Sequence, residues 1–264
     1  MIVRLNDRAL LKVSGIDAEA FLQSQFSNDV TNIKDGHIQI NAYCQHQGKI
    51  IAVIWVFKRD CSFYLSFPDD LKEIFISKLN MFKLMSQVDI HDYSAKINQF
   101  GLIGETRNNS LKISENLSLQ TTRKVLSTDG KKDDWEFACI NDKLPEIYLN
   151  LSEKFVPQAL NLDINNFGVS FTKGCYPGQE VVARMHYLGK SKRRLFIFNS
   201  NFKIKIGDSL NVNDSKSLKS SGQIIRVAKS EFGYLALASF EIEQIANKVF
   251  LNNDIDKLLN VVYE

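Results

Sequence analysis

Two rhythms of apolar and polar positions run along this chain. Residues 50–57 form an unbroken apolar run rich in β-branched and aromatic side chains, and residues 63–67, polar only at Ser66, form a second run. Runs of this length and composition predict strands, and the polar stretch 58–62 between them predicts a hairpin loop. Residues 9–13, 88–93 and 99–103 predict further strands. Helical spacing takes over elsewhere. Asp17 reads as the N-cap of a helix over 18–27, with Phe21, Leu22, Gln25 and Phe26 on one face. Pro68 opens a second helix whose stripe is Leu71, Ile74, Phe75 and Leu79. Residues 108–132 are polar and poorly periodic and predict loop and edge structure. Residues 135–140 read as a strand and 146–155 as a helix.

Beyond residue 190 the rhythm changes. Short apolar runs at 195–198, 222–228, 233–238, 248–251 and 258–263 are separated by turn residues at 207–208, 213–215, 231–233 and 252–254. This pattern predicts a small all-β unit, a barrel. The expected division is an α+β core over 1–190 and a C-terminal β-barrel over 191–264. A chain of 264 residues, with 18 Phe and 8 Tyr, can fill two such units.

A formal net charge of +3 names no nucleic-acid or acidic-membrane partner. The one dense basic run, Lys190-Ser191-Lys192-Arg193-Arg194, reads as a solvated surface. Cys44, Cys61, Cys139 and Cys175 contain no C-x-x-C pair, which excludes a disulfide framework and a zinc ribbon. Cys44-x-His46 alone supplies too few ligands for a metal. Arg4, Asp7 and Arg8 interrupt the first apolar stretch, so no signal peptide is expected. No uncharged apolar run reaches membrane-spanning length. These features predict a cytoplasmic protein.

The densest chemistry is Lys173-Gly174-Cys175-Tyr176-Pro177-Gly178-Gln179-Glu180. Two glycines flank a tight turn, and a helix begins at Gln179 or Glu180. Cys175 then lies just ahead of a helix N terminus and two residues from Lys173, a setting that favours thiolate. A cysteine there is either a reactive thiol or a small core residue.

The same octapeptide resembles the K-G-C-[FY]-x-G-Q-E signature of the YgfZ family at every position. Phe155-Val156-Pro157-Gln158 with Asn161-Leu162 resembles the family stretch upstream, and Ala183-Arg184, Gly189 and Lys192-Arg193 continue it. Ser14-Gly15-Ile16-Asp17, Phe21-Leu22-Gln23 and Asn28-Asp29-Val30 resemble the family's first helix. The resemblance implies the fold of the folate-dependent aminomethyltransferases of glycine cleavage: two related α+β lobes around a central cavity, with a C-terminal β-barrel. It implies an accessory protein for iron–sulfur enzymes or their assembly factors that uses tetrahydrofolate. It also implies an indirect effect on tRNA modification through an iron–sulfur enzyme that methylthiolates tRNA.

The resemblance assigns Cys175 as the functional thiol. It assigns Trp135, Arg8, Asn141, Lys173, Gln179, Glu180 and Arg184 to the folate site. The chain departs from the pattern at three places. Ala52 and Val53 stand where the aminomethyltransferases carry an Asp pair, so ordinary aminomethyl transfer lacks its carboxylate. Asn141 stands for a pterin-holding Glu, with Asp142 one residue out of register. Arg8 stands for a second tryptophan, where its guanidinium can stack or pair with a carboxylate. Two further readings are a one-carbon transferase that uses another carboxylate such as Asp29, and an RNA-binding module working through Lys190 to Arg194.

Overall fold

The structure, a computed structural model, describes residues 1–34, 36–84, 86–212 and 220–262. The first part of the chain runs β1 (Ile2–Arg4), β2 (Arg8–Ser14), α1 (Ala18–Gln25), β3 (Gln39–Cys44), β4 (Ile50–Arg59), β5 (Ser62–Pro68), α2 (Lys72–Phe82), β6 (Asp89–Asp92) and β7 (Asn98–Ile103). It continues through β8 (Leu111–Lys112), β9 (Leu117–Thr122), α3 (Lys132–Asn141) and α4 (Gln179–Leu188). The barrel strands follow: β10 (Arg193–Ser200), β11 (Ser209–Val212), β12 (Gly222–Ser230), β13 (Gly233–Glu241), β14 (Val249–Leu251) and β15 (Asp254–Val262).

The first lobe is a five-stranded sheet in the order β3-β4-β5-β2-β6. β4 and β5 pair antiparallel across Asp60-Cys61, whose φ values of 49° and 56° are both left-handed. Right-twisted strands joined by two residues need this primed turn, so the loop expected over 58–62 contracts to its centre. Ile50 to Phe57 are all buried, so both faces of β4 are covered, and the run is continuous rather than alternating. α1 lays Phe21 and Leu22 into this core, but Asp17 does not cap it. The Asp17 carboxylate accepts instead from the Gln87 N–H at 2.7 Å.

The second sheet has the order β1-β7-β9-β8. Residues 108–132 therefore supply an inner strand, β9, as well as loop and edge. Two other elements differ from expectation. Residues 132–141 are helix α3 rather than a strand, with Asp133 and Asp134 favourably placed in its first turn. Residues 146–155 are not a helix: only a short 3₁₀ turn at Leu149–Leu151 occurs there. Ile147, Leu151 and Phe155 are buried and four residues apart, which imitates a helical stripe. The segment instead bonds to the start of β4, where the Glu153 N–H donates to Ile50 O and the Ile50 N–H to Phe155 O.

The C-terminal strands close into a barrel in the order β10-β13-β12-β11-β14-β15. Phe198, Leu210, Ile224 and Phe240 fill its interior. β11 was not expected. The turn predicted at 213–215 and the end of the strand predicted to reach Tyr263 lie outside the described residues. A bulge between Ile224 and Arg226 breaks the alternation of β12, and Ile225 and Arg226 both meet the core outside the barrel. No helix among the described residues is long and apolar enough to cross a membrane.

Candidate functional site

The Cys175 loop is fixed at both ends. Gly178 is the N-cap of α4 with φ +81°, and Gly48, in the turn between β3 and β4, has φ +76°. The two turns lie back to back. A Cβ on Gly178 would stand 2.5 Å from Gln45 O and 2.7 Å from Gly48 Cα, so only glycine permits this approach. α4 is held from behind by Gln158, whose amide donates to Val182 O at 2.8 Å. Ahead of the loop, Phe171 stacks on His186 of α4 with ring centres 3.7 Å apart.

Within this frame Lys173 turns inward. Its ammonium donates to Gln23 O (2.6 Å), Phe26 O (2.6 Å) and Asn28 O (2.8 Å). The first two carbonyls belong to the C-terminal end of α1, where the helix dipole favours a cation. An ammonium has three protons, and all three are spent here. Burial pulls Lys173 down to about 8, against the opposing attraction of Asp29. Tyr176 is buried, with the Lys173 ammonium 5.5 Å from its ring centre. Between these two anchored side chains Cys175 is exposed. Glu180 and Arg184 are exposed, and Gln179 is half-buried, its amide reaching Gly174 O at 3.4 Å. Lys173 is thus a clamp beneath the loop, while Cys175, Glu180 and Arg184 face solvent.

Arg8 and Trp135 meet elsewhere, at the junction of both sheets, α3 and the barrel. The Arg8 guanidinium lies over Trp55 at 3.6 Å from the ring centre, and Trp55 meets Trp135 edge to face at 6.3 Å. Trp135 is 2% exposed and covers Gly101 so closely that a Cβ there would be 2.3 Å from its ring. Arg8 donates Nε–H to Ser66 Oγ at 2.9 Å and Nη1–H to Glu146 Oε2. Glu146 also accepts from Arg226 Nη2 at 3.1 Å, and Arg226 donates to Glu136 at 2.6 Å and to Leu144 O at 2.7 Å. Ser66 donates to Gln99 of β7 at 2.6 Å. A polar chain therefore crosses the molecule from the second sheet, through the first, to the barrel and α3. Two arginines and two glutamates balance in charge. Burial raises Glu146, against Arg8 and Arg226, while burial lowers and Glu136 raises Arg226, which ends well above its ordinary value.

No family model matches the chain. It is 33% identical to a protein of uncharacterised function from Haemophilus influenzae, over 96% of this chain and 90% of that one. It is 27% identical to the tRNA-modifying protein YgfZ of Aliivibrio fischeri, over 97% of this chain and 86% of that one. The same protein of Colwellia psychrerythraea is 28% identical over 75% and 71%. The chain belongs to the YgfZ family. Its fold is that of the aminomethyltransferase T of the glycine cleavage system from Bartonella henselae, with a TM-score of 0.72 over the whole chain and 84% of that structure, at 12% identity.

The remaining positions fall into place on this YgfZ-family frame. Ala52 and Val53 are wholly buried in β4 and bring no polar group to any site. Asn141 does not join Trp135. Six residues apart, the two would share a face of a strand, but on helix α3 they part. Trp135, Glu136, Cys139 and Ile140 point inward. Asp134, Phe137, Ala138 and Asn141 line a surface cleft of about 370 Å³ with Met1 and Ile103. Asp29 is committed locally: its carboxylate accepts from Thr31, Gln23 and Asn32, and the Thr31 hydrogen bond leads the causes that hold it below its usual range.

The basic run is not simply solvated. Lys190 and Lys192 are exposed, but Arg194 makes a two-pronged bond to Asp163 (2.5 and 3.0 Å) and Arg193 pairs with Glu241 at 3.1 Å. Sequence reasoning missed Trp55, Glu136, Glu146 and Arg226. Trp55 hides in an apolar run, and the other three acquire meaning only once the chain is folded.

Proposed function

We propose that this chain is a folate-binding accessory protein that supports iron–sulfur enzymes in the cytoplasm and acts through the Cys175 thiol. The carrying observation is the contrast in the loop: Lys173 and Tyr176 are buried and anchored, and Cys175 between them faces outward. A thiol held on a rigid turn ahead of a helix N terminus is accessible to a partner protein. The family resemblance supplies the partner class, and an iron–sulfur enzyme acting on tRNA would connect it to the name its relatives carry. Four free cysteines suit a reducing compartment.

The centre suits a flat heterocycle in kind. Trp55 offers an aromatic face, and the enclosed atoms Arg8 Nη2, Trp55 Nε1 and Glu146 Oε1 have no hydrogen-bond partner among the described residues. Aminomethyl transfer gains no support, since Ala52 and Val53 are apolar and buried and Asp29 is engaged. Direct RNA binding gains none either, since Arg193 and Arg194 are held in ion pairs.

The test is complementation of a deletion strain, read as tRNA methylthiolation, by Cys175→Ala, with tetrahydrofolate calorimetry on the unaltered protein. The expected result is a folded variant that restores little or no methylthiolation, and micromolar-range heat of binding. Full complementation by Cys175→Ala would remove the thiol from the function. Absence of tetrahydrofolate binding would remove the folate.

A further inference from the structure

A guanidinium is a costly choice for a closed centre. Arg8 is 8% exposed, yet among the described residues one of its nitrogens has no acceptor, and one oxygen of its partner Glu146 has no donor. A packed core with no other duty would satisfy these atoms or replace them with apolar ones. The form of the group is informative. It is a planar carbon bearing three nitrogens, stacked on an indole and directed edge-on at a carboxylate. The pyrimidine ring of a pterin contains the same unit, since its C2 carries N1, N3 and the amino group, and its edge presents N–H donors in the plane of the ring.

We propose that Arg8 is a resident stand-in for a pterin: it covers the Trp55 face and the Glu146 carboxylate, and folate enters the centre by displacing it. The inference rests on the folate reading above. Three features make displacement feasible. Arg8 is the first residue of β2, directly after the exposed Asn6 and half-exposed Asp7, so it sits at the end of its strand rather than in its middle. Glu146 keeps Arg226 Nη2 at 3.1 Å when Arg8 leaves and is not stranded. Trp55 stays braced by Trp135. The arginine thus lowers affinity for the free ligand and keeps the centre filled when ligand is scarce.

The chain has two tryptophans, Trp55 and Trp135, and both lie at this centre, so tryptophan emission, excited apart from the eight tyrosines, reports on it alone. The experiment titrates 5-formyltetrahydrofolate into the full-length protein and Arg8→Ala, following tryptophan emission and heat. Arg8→Ala should bind at least tenfold more tightly, with stronger quenching. Ethylguanidinium should compete with the folate in Arg8→Ala, by filling the space the side chain left, and should have no such effect on the unaltered protein. A purely structural Arg8 would produce neither result. Equal or weaker binding by Arg8→Ala, with the unaltered protein still binding, would overturn the stand-in while leaving the folate reading intact. No binding by either protein would overturn both. If Arg8→Ala does not fold, Arg8→Lys serves: it keeps a cation for Glu146, uncovers the Trp55 face and should bind more tightly than the unaltered protein. Failure to do so overturns the proposal.

Discussion

Lys173 shows how a buried side chain can anchor the loop that carries an exposed thiol. Its three protons go to three backbone carbonyls, so Lys173→Met leaves all three without that donor. A buried unpaired carbonyl costs about 1–3 kcal/mol, so the variant should be destabilised by at least that range in urea melts. The pH dependence has a definite sign. The unfolded chain keeps this proton up to about 10.4, the ordinary lysine value, while the folded chain releases it at about 8. Between those values the unfolded state holds more protons, so this group's contribution to stability rises with pH and is constant below the window. The stability gap between the unaltered protein and Lys173→Met should therefore widen from pH 8 to 10. A gap that narrows would contradict the burial argument. Burial pushes the Cys44 thiol up to about 12 and raises Cys139 as well, which leaves both unreactive near neutrality.

At the level of elements, the two glycine turns set the position of the loop. Gly178→Ala places a methyl against the backbone of the β3–β4 turn and forces alanine into a left-handed conformation. That conformation alone costs about 1–2 kcal/mol, and the clash adds to it. Gly174 is a matched control, because a Cβ there meets nothing within 4 Å and its φ is not left-handed. Gly174→Ala should melt within about 0.5 kcal/mol of the unaltered protein, whereas Gly178→Ala should lose at least about 2 kcal/mol and show faster amide exchange in α4. Equal melting of the two variants would show that the turns do not depend on each other.

This loop was legible in the sequence because its signals are local: two glycines, a proline and the start of a helix within eight residues. The barrel was legible through its repeated short runs and turns. The centre was not, because Arg8 and Glu146 are 138 residues apart and neither carries a local signature of burial. α3 was misread for a related reason. Its inward face includes Glu136, which interrupts the apolar stripe and is buried only because Arg226 meets it from the barrel.

At the scale of the whole molecule, the barrel is part of the core rather than an appendage to it. Arg226 of β12 is 1% exposed and neutralises Glu136 and shares Glu146 with Arg8. Arg226→Met should cost about 3–5 kcal/mol, the usual penalty for stranding a buried charge. Unfolding should remain a single transition, since both sheets share the loss. A variant that melts in two steps would instead mean that the barrel folds independently. Removing the acid as well, in Arg226→Met with Glu136→Gln, should recover part of the lost stability.

The polar chain through the centre also limits how this protein can change over generations. Arg8 and Glu146 depend on each other unequally: without Glu146 the arginine is a buried cation with no carboxylate, whereas without Arg8 the carboxylate still has Arg226. A lineage that exchanges Arg8 for an aromatic residue loses its need for a carboxylate at position 146, and one that loses Glu146 has reason to discard the arginine. Exchange at one of these positions therefore changes what the other can bear, although 138 residues separate them.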